Sequence, residues 1–451
     1  MASGLDAGTI DQLTARLREP AWLSQLRRAA LAQHAELSWP HASDDIWRRT
    51  DVAWLDPARQ GCAPASPALL QAVPVLRQAQ LAAFTQPLGQ EQLYVRVNGT
   101  WLSDHAPTGG VLLEDLATAA QRWPEPLRRI LEADGLTPAE QKLTTLNGAF
   151  HDDDLVLQVP AHVRVGEPVR LVHLLTASPH CTLFPLTIIT VGAGSEITLI
   201  DEYVSLEPDG VTAPHVINGR IELWLEPEAK VHYVRLQRWG AHAREFVLQR
   251  ACLSKGSTLT MANINLGAAV SKAHIVTRLA GEHASTRLYG FVFGQRDQHI
   301  DQHTLQDHQA PHTTSDLQFK AALQDRSRMI YTGLIRIAKE AQQTHAHQAN
   351  HNLLLSAEAQ AETIPMLEIL ADDVQCKHGA SIGPVDDEQA FYLMSRGIPR
   401  AAAERLIVLG FVESIIQQVP FAPLQERLRQ EIEGSLYVEG QGARGKGQGD
   451  G

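Results

Sequence analysis

The sequence predicts a mainly β protein, a parallel β-helix (solenoid) between helical ends. Three observations predict it. Apolar residues recur at helical steps near the start, switch to strand-like alternation near residue 155, and return to helical steps near residue 386. No helix-length segment separates the strand-like runs, so a doubly wound sheet with helical crossovers does not fit. A degenerate corner of polar residues around a small one recurs between the runs, the signature of stacked coils.

In the first part, Ile10, Leu13 and Leu17, then Leu23, Leu26 and Leu31, follow helical spacing, with Glu19-Pro20-Ala21-Trp22 as a break where proline enters a second helix. Residues 51–66 read as irregular and 67–84 as helix again. The expectation is a mostly helical N-terminal domain over 1–150.

Short runs rich in β-branched residues follow: Leu155, Leu157 and Val159, then Val163 and Val165, then Val169, Leu171 and Val172. Others lie at 186–191, 197–200, 221–225, 231–236, 259–264 and 288–293. Between them stand corners such as Gly192-Ala193-Gly194-Ser195, Ser254-Lys255-Gly256-Ser257 and Gly281-Glu282-His283-Ala284-Ser285. Later copies, Ala338-Lys339-Glu340-Ala341-Gln342, Ser356-Ala357-Glu358-Ala359-Gln360 and Ala371-Asp372-Asp373-Val374-Gln375, have centres 18 and 15 residues apart. A sandwich of hairpins is disfavoured, because only Asp209-Gly210 and Asn218-Gly219 qualify as tight hairpin dipeptides. The solenoid core is expected over 151–384.

A C-terminal helical domain is expected over 385–437. Its first helix ends at Arg396-Gly397-Ile398-Pro399, a stop and a restart. A second, apolar helix runs over 401–418, Pro420 breaks it, and an amphipathic helix covers 424–436. The glycine-rich polar tail 438–451 is expected to be disordered.

Composition excludes some functions. With 39 basic and 51 acidic side chains among 451 residues, the net charge of -12 repels a phosphate backbone, so nucleic acid is not an expected partner. No apolar run approaches the ~18 residues of a spanning helix, and the N-terminal residues lack a basic region followed by an apolar core, so a cytoplasmic protein with no membrane partner is expected. The four cysteines, Cys62, Cys181, Cys252 and Cys376, form no CxxC pair and are expected to be reduced. A nucleotide-binding GxxxxGK[ST] loop and a GxSxG elbow are both lacking.

Two histidine clusters raise metal binding, His299, His303, His308 and His312, then His345, His347 and His351. Neither follows HExxH, and histidines hydrogen-bonded in stacked ladders or exposed at an interface are the expectation for most of them. Cys376 and His378 are two residues apart, so on a strand both face one way, with Asp372 on that side too. Thiolate and imidazole are a ligand pair for iron or an acceptor for sulfur, whereas a lone cysteine in a core is more often inert. Two ligands do not close a site.

Several segments together resemble the SufB/SufD family of iron-sulfur cluster assembly proteins, and specifically its SufD type. The strongest is Pro365-Met366-Leu367-Glu368-Ile369-Leu370-Ala371-Asp372-Asp373-Val374-Gln375-Cys376-Lys377-His378-Gly379-Ala380, continued by Phe391-Tyr392-Leu393-Met394-Ser395-Arg396-Gly397-Ile398. Asp301-Gln302-His303, Asp307-His308, Gly333-Leu334-Ile335-Arg336-Ile337, Asn350-His351-Asn352 and Trp47-Arg48-Arg49-Thr50-Asp51 support it.

The resemblance implies a right-handed parallel β-helix and a scaffold that is not itself an enzyme. It implies pairing with a SufB-like homologue through the β-helices, with a homodimer in isolation, and docking of a SufC-like ABC-type ATPase on the C-terminal helices. Phe391, Tyr392, Arg396, Gly397 and Phe411 are the expected docking residues. The cargo implied is a transient iron-sulfur cluster or iron shared with the partner, none tightly bound by the isolated chain, with sulfur donors acting indirectly. Cys376 and His378 fall at the cysteine and histidine of the SufD motif, near the subunit interface, and His378 is the stronger ligand candidate. Some relatives carry a cysteine in the loop after Pro311-His312, where this chain has Thr313 and Thr314, so no cluster role is expected there. A solenoid polysaccharide lyase and a histidine-dependent metalloenzyme are the alternatives.

Overall fold

In a computed structural model the described residues are 5–41, 43–44, 46–56, 63–64, 84–102, 107–133, 136–175, 181–205 and 215–436. The expected helix over 67–84 falls almost wholly outside them, as does the tail 438–451. Two long parallel sheets face one another, and the chain passes from one to the other at every corner. One sheet contains β4 (Leu112–Glu114), β5 (Asp153–Val159), β8 (Pro185–Val191), β10 (His215–Leu225), β12 (Ala243–Leu253), β14 (Val270–Leu279), β16 (His299–His308), β18 (Arg328–Ile337) and β20 (Gln360–Ile369) in that order. Short β1 (Ala63–Pro64) and β7 (Cys181–Leu183) pair beside it. The other sheet contains β3 (Thr100–Trp101), β2 (Gln92–Val97), β6 (Val169–Leu175), β9 (Glu196–Ser205), β11 (Lys230–Arg238), β13 (Thr258–Asn265), β15 (Ser285–Gly294), β17 (Thr314–Leu323), β19 (Thr344–Leu354) and β21 (Val374–Pro384).

This is the predicted parallel β-solenoid, of about seven turns, with two strands per turn. From β5 to β21, residues stacked on one another differ in number by 26 (Arg244 and Val270) to 34 (Glu196 and Lys230). The 18- and 15-residue spacings in the sequence are therefore half-turns, alternating between the two edges. Along each strand every second side chain points inward, and those columns form the main core, with Leu199, Tyr233, Met261, Leu288, Leu317 and Tyr331 among its members. The β-branched content of the strands suits this two-sided packing.

The corners have a common mechanism. On one edge Gly194, Glu228, Gly256, His283, His312 and Gln343 all take positive φ, and each donates its backbone N–H to a corner carbonyl of the following coil. Beside them a small side chain turns inward, Ser195, Ala229, Ser257, Ala284 and Thr313, each at most 1% exposed. Larger residues there would push the two sheets apart.

One expectation from the sequence comes out differently, and one of the two candidate hairpin dipeptides proves to be strand. Val163 and Val165 belong to a corner with a single bridge from Arg164 to Glu196, because the chain turns there before β6. Asn218-Gly219 lies inside β10 and makes no hairpin; Asn218 donates its amide to Leu143 O at 2.9 Å, a tertiary bond that local turn chemistry cannot reveal.

Helices cover much of the outer faces of both sheets. α1 (Ala7–Leu17), α2 (Ala21–Glu36), α3 (Leu116–Arg122), α4 (Pro124–Leu131) and α5 (Pro138–Phe150) stand at the N-terminal end, and α3 to α5 cover the first sheet, where Leu127, Ile130 and Leu143 meet Ile188, Val216, Phe246 and Val276. α5 opens with a capping box between Thr137 and Glu140. Trp47 stacks on His274, 4.8 Å between ring centres, and Thr50 donates to Asp301 at 2.5 Å. Lys272 bridges Asp301 and Ile46 O. The Trp47–Asp51 and Asp301–His303 segments of the sequence are thus two halves of one contact.

The C-terminal α6 (Asp387–Ser395), α7 (Arg400–Ile416) and α8 (Ala422–Ser435) follow β21. α7 and α8 lay Val408, Val412, Ile415, Leu424 and Leu428 on Ile200, Val234, Ala262 and Phe291 of the second sheet. Glu202, buried on β9, ties α8 down through Arg427 at 2.9 Å and also meets Arg170 and Arg238. Among the described residues no helix is long and apolar enough to cross a membrane.

Candidate functional site

The solenoid ends at β20 and β21, each hydrogen-bonded to one neighbour only, so their outer edges carry unpaired backbone groups. Among the described residues nothing stacks beyond them. Leu370, Ile382, Leu367 and Ile369 are left 61, 43, 39 and 38% exposed, an apolar rim at the open end.

Register places both sequence-predicted residues at this end. Cys376 stacks on buried Ala346, and His378 on buried Gln348, so both continue inward-facing columns. Cys376 is half-buried against Ile335, Ile337, Ala341 and Ala346, and burial raises its thiol pKa, which keeps it in the protonated form until something displaces that proton. His378 is exposed one rung along. Asp372 lies in the bend before the strand, where the two-residue alternation that would set it beside Cys376 does not run.

Beneath His378 the interior is polar. Gln348 donates from Nε2 to Gly333 O at 3.3 Å, and its Oε1 is buried without a partner among the described residues. A Cβ at position 333 would run into that amide, which is what Gly333 contributes. Asn350 donates to Phe319 O at 3.3 Å and Asn352 to Asn350 Oδ1 at 2.7 Å.

The inward positions of the two last strands are Ala361, Thr363, Pro365, Leu367 and Ile369, by register with β18, and Val374, Cys376, His378, Ala380 and Ile382. They supply one thiol, one imidazole and no carboxylate. Glu362 and Glu368 point outward and are paired with Arg49 and Arg328 and with Arg336. Iron or a cluster seated there lacks a full ligand set from these two strands alone.

The histidine clusters do not join this site. His347 pairs with Asp316 at 2.9 Å and His351 with Ser381 at 2.7 Å, on the outer face of β19. His308 points inward between Thr313 and Ser315, His312 stacks on His283 at a corner, and His299 and His303 face the N-terminal segment. Sequence reasoning missed a different group, Glu140, His274 and His303, because its members are brought together from α5, β14 and β16.

A second exposed feature lies on the C-terminal helices. Phe391, Tyr392, Met394 and Leu406 are 72, 58, 40 and 50% exposed. Arg396 lies over the Tyr392 ring at 5.2 Å, and Gly397, at φ 85, turns the chain from α6 into α7. Phe411 is separate from this patch: its ring lies 4.5 Å from Lys320 Nζ and packs back towards the solenoid.

The core domain described as SUF system FeS cluster assembly, SufBD core domain, matches residues 173–411, more than half of the chain and almost all of the solenoid. The chain belongs to the SufBD family. An iron-sulfur cluster assembly SufBD family protein of Synechocystis sp. is 26% identical over 421 residues, 91% of each chain. Family members of Staphylococcus epidermidis and Staphylococcus haemolyticus are 23 and 24% identical, covering 96 and 90% of this chain and 94 and 82% of their own. SufBD membership gives the chain a role in iron-sulfur cluster assembly within the SUF system, and the SufBD core match contains the open end with Cys376 and His378.

Proposed function

We propose that the chain is a SufD-type scaffold subunit that catalyses nothing itself and completes its site with a SufB-like homologue while docking a SufC-like ATPase. The single observation that carries this reading is the uncovered last coil, with two unpaired strand edges, an apolar rim and half a ligand set on inward columns. A second solenoid pairing along β20 and β21 would satisfy the edges, bury the rim and bring the missing ligands. The Asp372-Asp373-Val374-Gln375-Cys376-Lys377-His378 run favours the SufD type. The exposed side chains Phe391, Tyr392 and Met394 of α6 and Leu406 of α7 suit the ATPase.

The cargo in this reading is iron or a nascent cluster held jointly by Cys376, His378 and partner groups. The test is co-expression with a SufB-like and a SufC-like protein, followed by mass measurement of the purified complex. A stable ternary complex is expected. Purification of the chain free of both would overturn the proposal.

A further inference from the structure

We propose that Glu140, His274 and His303 bind one divalent transition-metal ion that pins the N-terminal segment to the solenoid, a site separate from the open end. A donor atom of each lies within 4.8 Å of donor atoms of the other two. All three side chains are buried, at 5, 0 and 8% exposure, between α5 and the outward faces of β14 and β16.

Three facts point to a ligand. His274 Nε2 and His303 Nδ1 are both buried and without a hydrogen-bond partner among the described residues. Orphaned buried nitrogens are costly, and His303 Nδ1, in a ring whose centre lies 4.9 Å from that of His274, is the free donor that an ion held by Glu140 and His274 would take. The third fact concerns the chemistry of the set. Two imidazoles and a carboxylate form a donor set for iron, zinc or cobalt in the divalent state. Glu140 Oε1 and His274 Nδ1 stand 2.9 Å apart and share a hydrogen bond, a spacing that two ligands of one ion also keep, so an ion there would displace the shared proton while Thr137 holds Glu140 Oε2.

Charge agrees. Glu140 and Asp301 against Lys272 leave one negative charge in the buried contact, and Lys272 is already engaged by Asp301 and by the Trp47 ring at 4.6 Å. The second group of similar composition, Glu19, His151 and Asp154, carries no such inference, because the Arg27 guanidinium occupies its centre, 2.6 Å from Glu19 and 3.0 Å from His151.

The ion would do structural work. Trp47, Thr50 and α5 converge on these coils, and a metal bridging α5 to β14 and β16 would lock that docking as a zinc staple does. A water on His303 Nδ1 would satisfy it equally, and is the outcome in which no ion is taken up.

The test uses the full chain, stripped with chelator, dialysed against cobalt or zinc ion alone, and washed. One ion per chain is expected by elemental analysis, with a raised melting temperature. His303→Ala and the milder His303→Asn should bind at least tenfold more weakly, in line with loss of a donor. The corner variant His283→Ala/His312→Ala should bind as the unaltered chain does. Cobalt should also quench tryptophan fluorescence in the unaltered chain and not in Trp47→Phe, a readout that does not depend on the histidine variants folding. Absence of a retained ion overturns the proposal, as does binding lost in the corner variant and kept in His303→Asn.

Discussion

His378 stacks directly on Gln348, the last two rungs of a column that runs back through Leu317, Leu288, Met261, Tyr233, Leu199 and Val169. An apolar ladder thus turns polar where it reaches the open end, and Gly333 opposite is bare so that the Gln348 amide fits. Gly333→Ala should drive that amide from its place at a cost of about 1–3 kcal/mol, typical of overpacking. In the co-expressed complex, subunit pairing should persist while the iron-sulfur content falls. Iron content equal to that of the unaltered complex would show that the polar rung beneath His378 has no part in the site.

Replacing His378 should separate assembly from loading. The side chain is exposed and makes no hydrogen bond or ion pair among the described residues, so His378→Ala should leave stability within about 0.5 kcal/mol and the complex intact. Iron retained per complex should fall roughly tenfold or more, as for loss of a metal-site residue. Half-buried Cys376 supplies a companion measurement: alkylation mapped by peptide mass should label it in the isolated chain and spare it in the complex. Equal labelling in both states would place the partner elsewhere.

The sequence carried the solenoid in its corners and its alternation, because a left-handed corner residue beside a small inward one must recur at every turn. It also put Cys376 and His378 on one face, since strand alternation is local. Asp372 was misplaced because alternation stops at the corner. The Gln348–Gly333 fit, the Trp47–His274 stack and the Glu140–His274–His303 group depend on which coil lies over which, and on where α5 docks. Those are relations between residues 15 to 227 apart along the chain, and no local period encodes them.

Two aromatic rings of the C-terminal helices should respond oppositely to substitution. Phe391 is 72% exposed, so Phe391→Asp should leave stability within about 0.5 kcal/mol yet remove ATPase docking in a pull-down. Phe411 is half-buried under Lys320, so Phe411→Ala should cost about 2 kcal/mol, below the 3–5 of a fully buried ring, and affect docking only through α7. ATPase binding retained by Phe391→Asp would remove the exposed patch from the interface.

Stability should fall on acidification through groups buried as neutral rings. Burial lowers the pKa of His308 to about 4, while the unfolded chain titrates near 6.5. Between those values the unfolded state binds the extra proton, so the contribution is complete above about pH 6.5 and is lost as pH falls to about 4. It is worth on the order of 3 kcal/mol. His215, lowered to about 4 by burial and then by His242, acts in the same direction. Asp152 opposes them, because burial and then Asp153 and Asp154 raise it to about 7, and its folded-state proton favours the fold at lower pH. Comparison with His308→Gln isolates the first term. Urea midpoints of the unaltered chain should drop more steeply from pH 6.5 to 4 than those of the variant, and parallel curves would show that His308 does not titrate with unfolding.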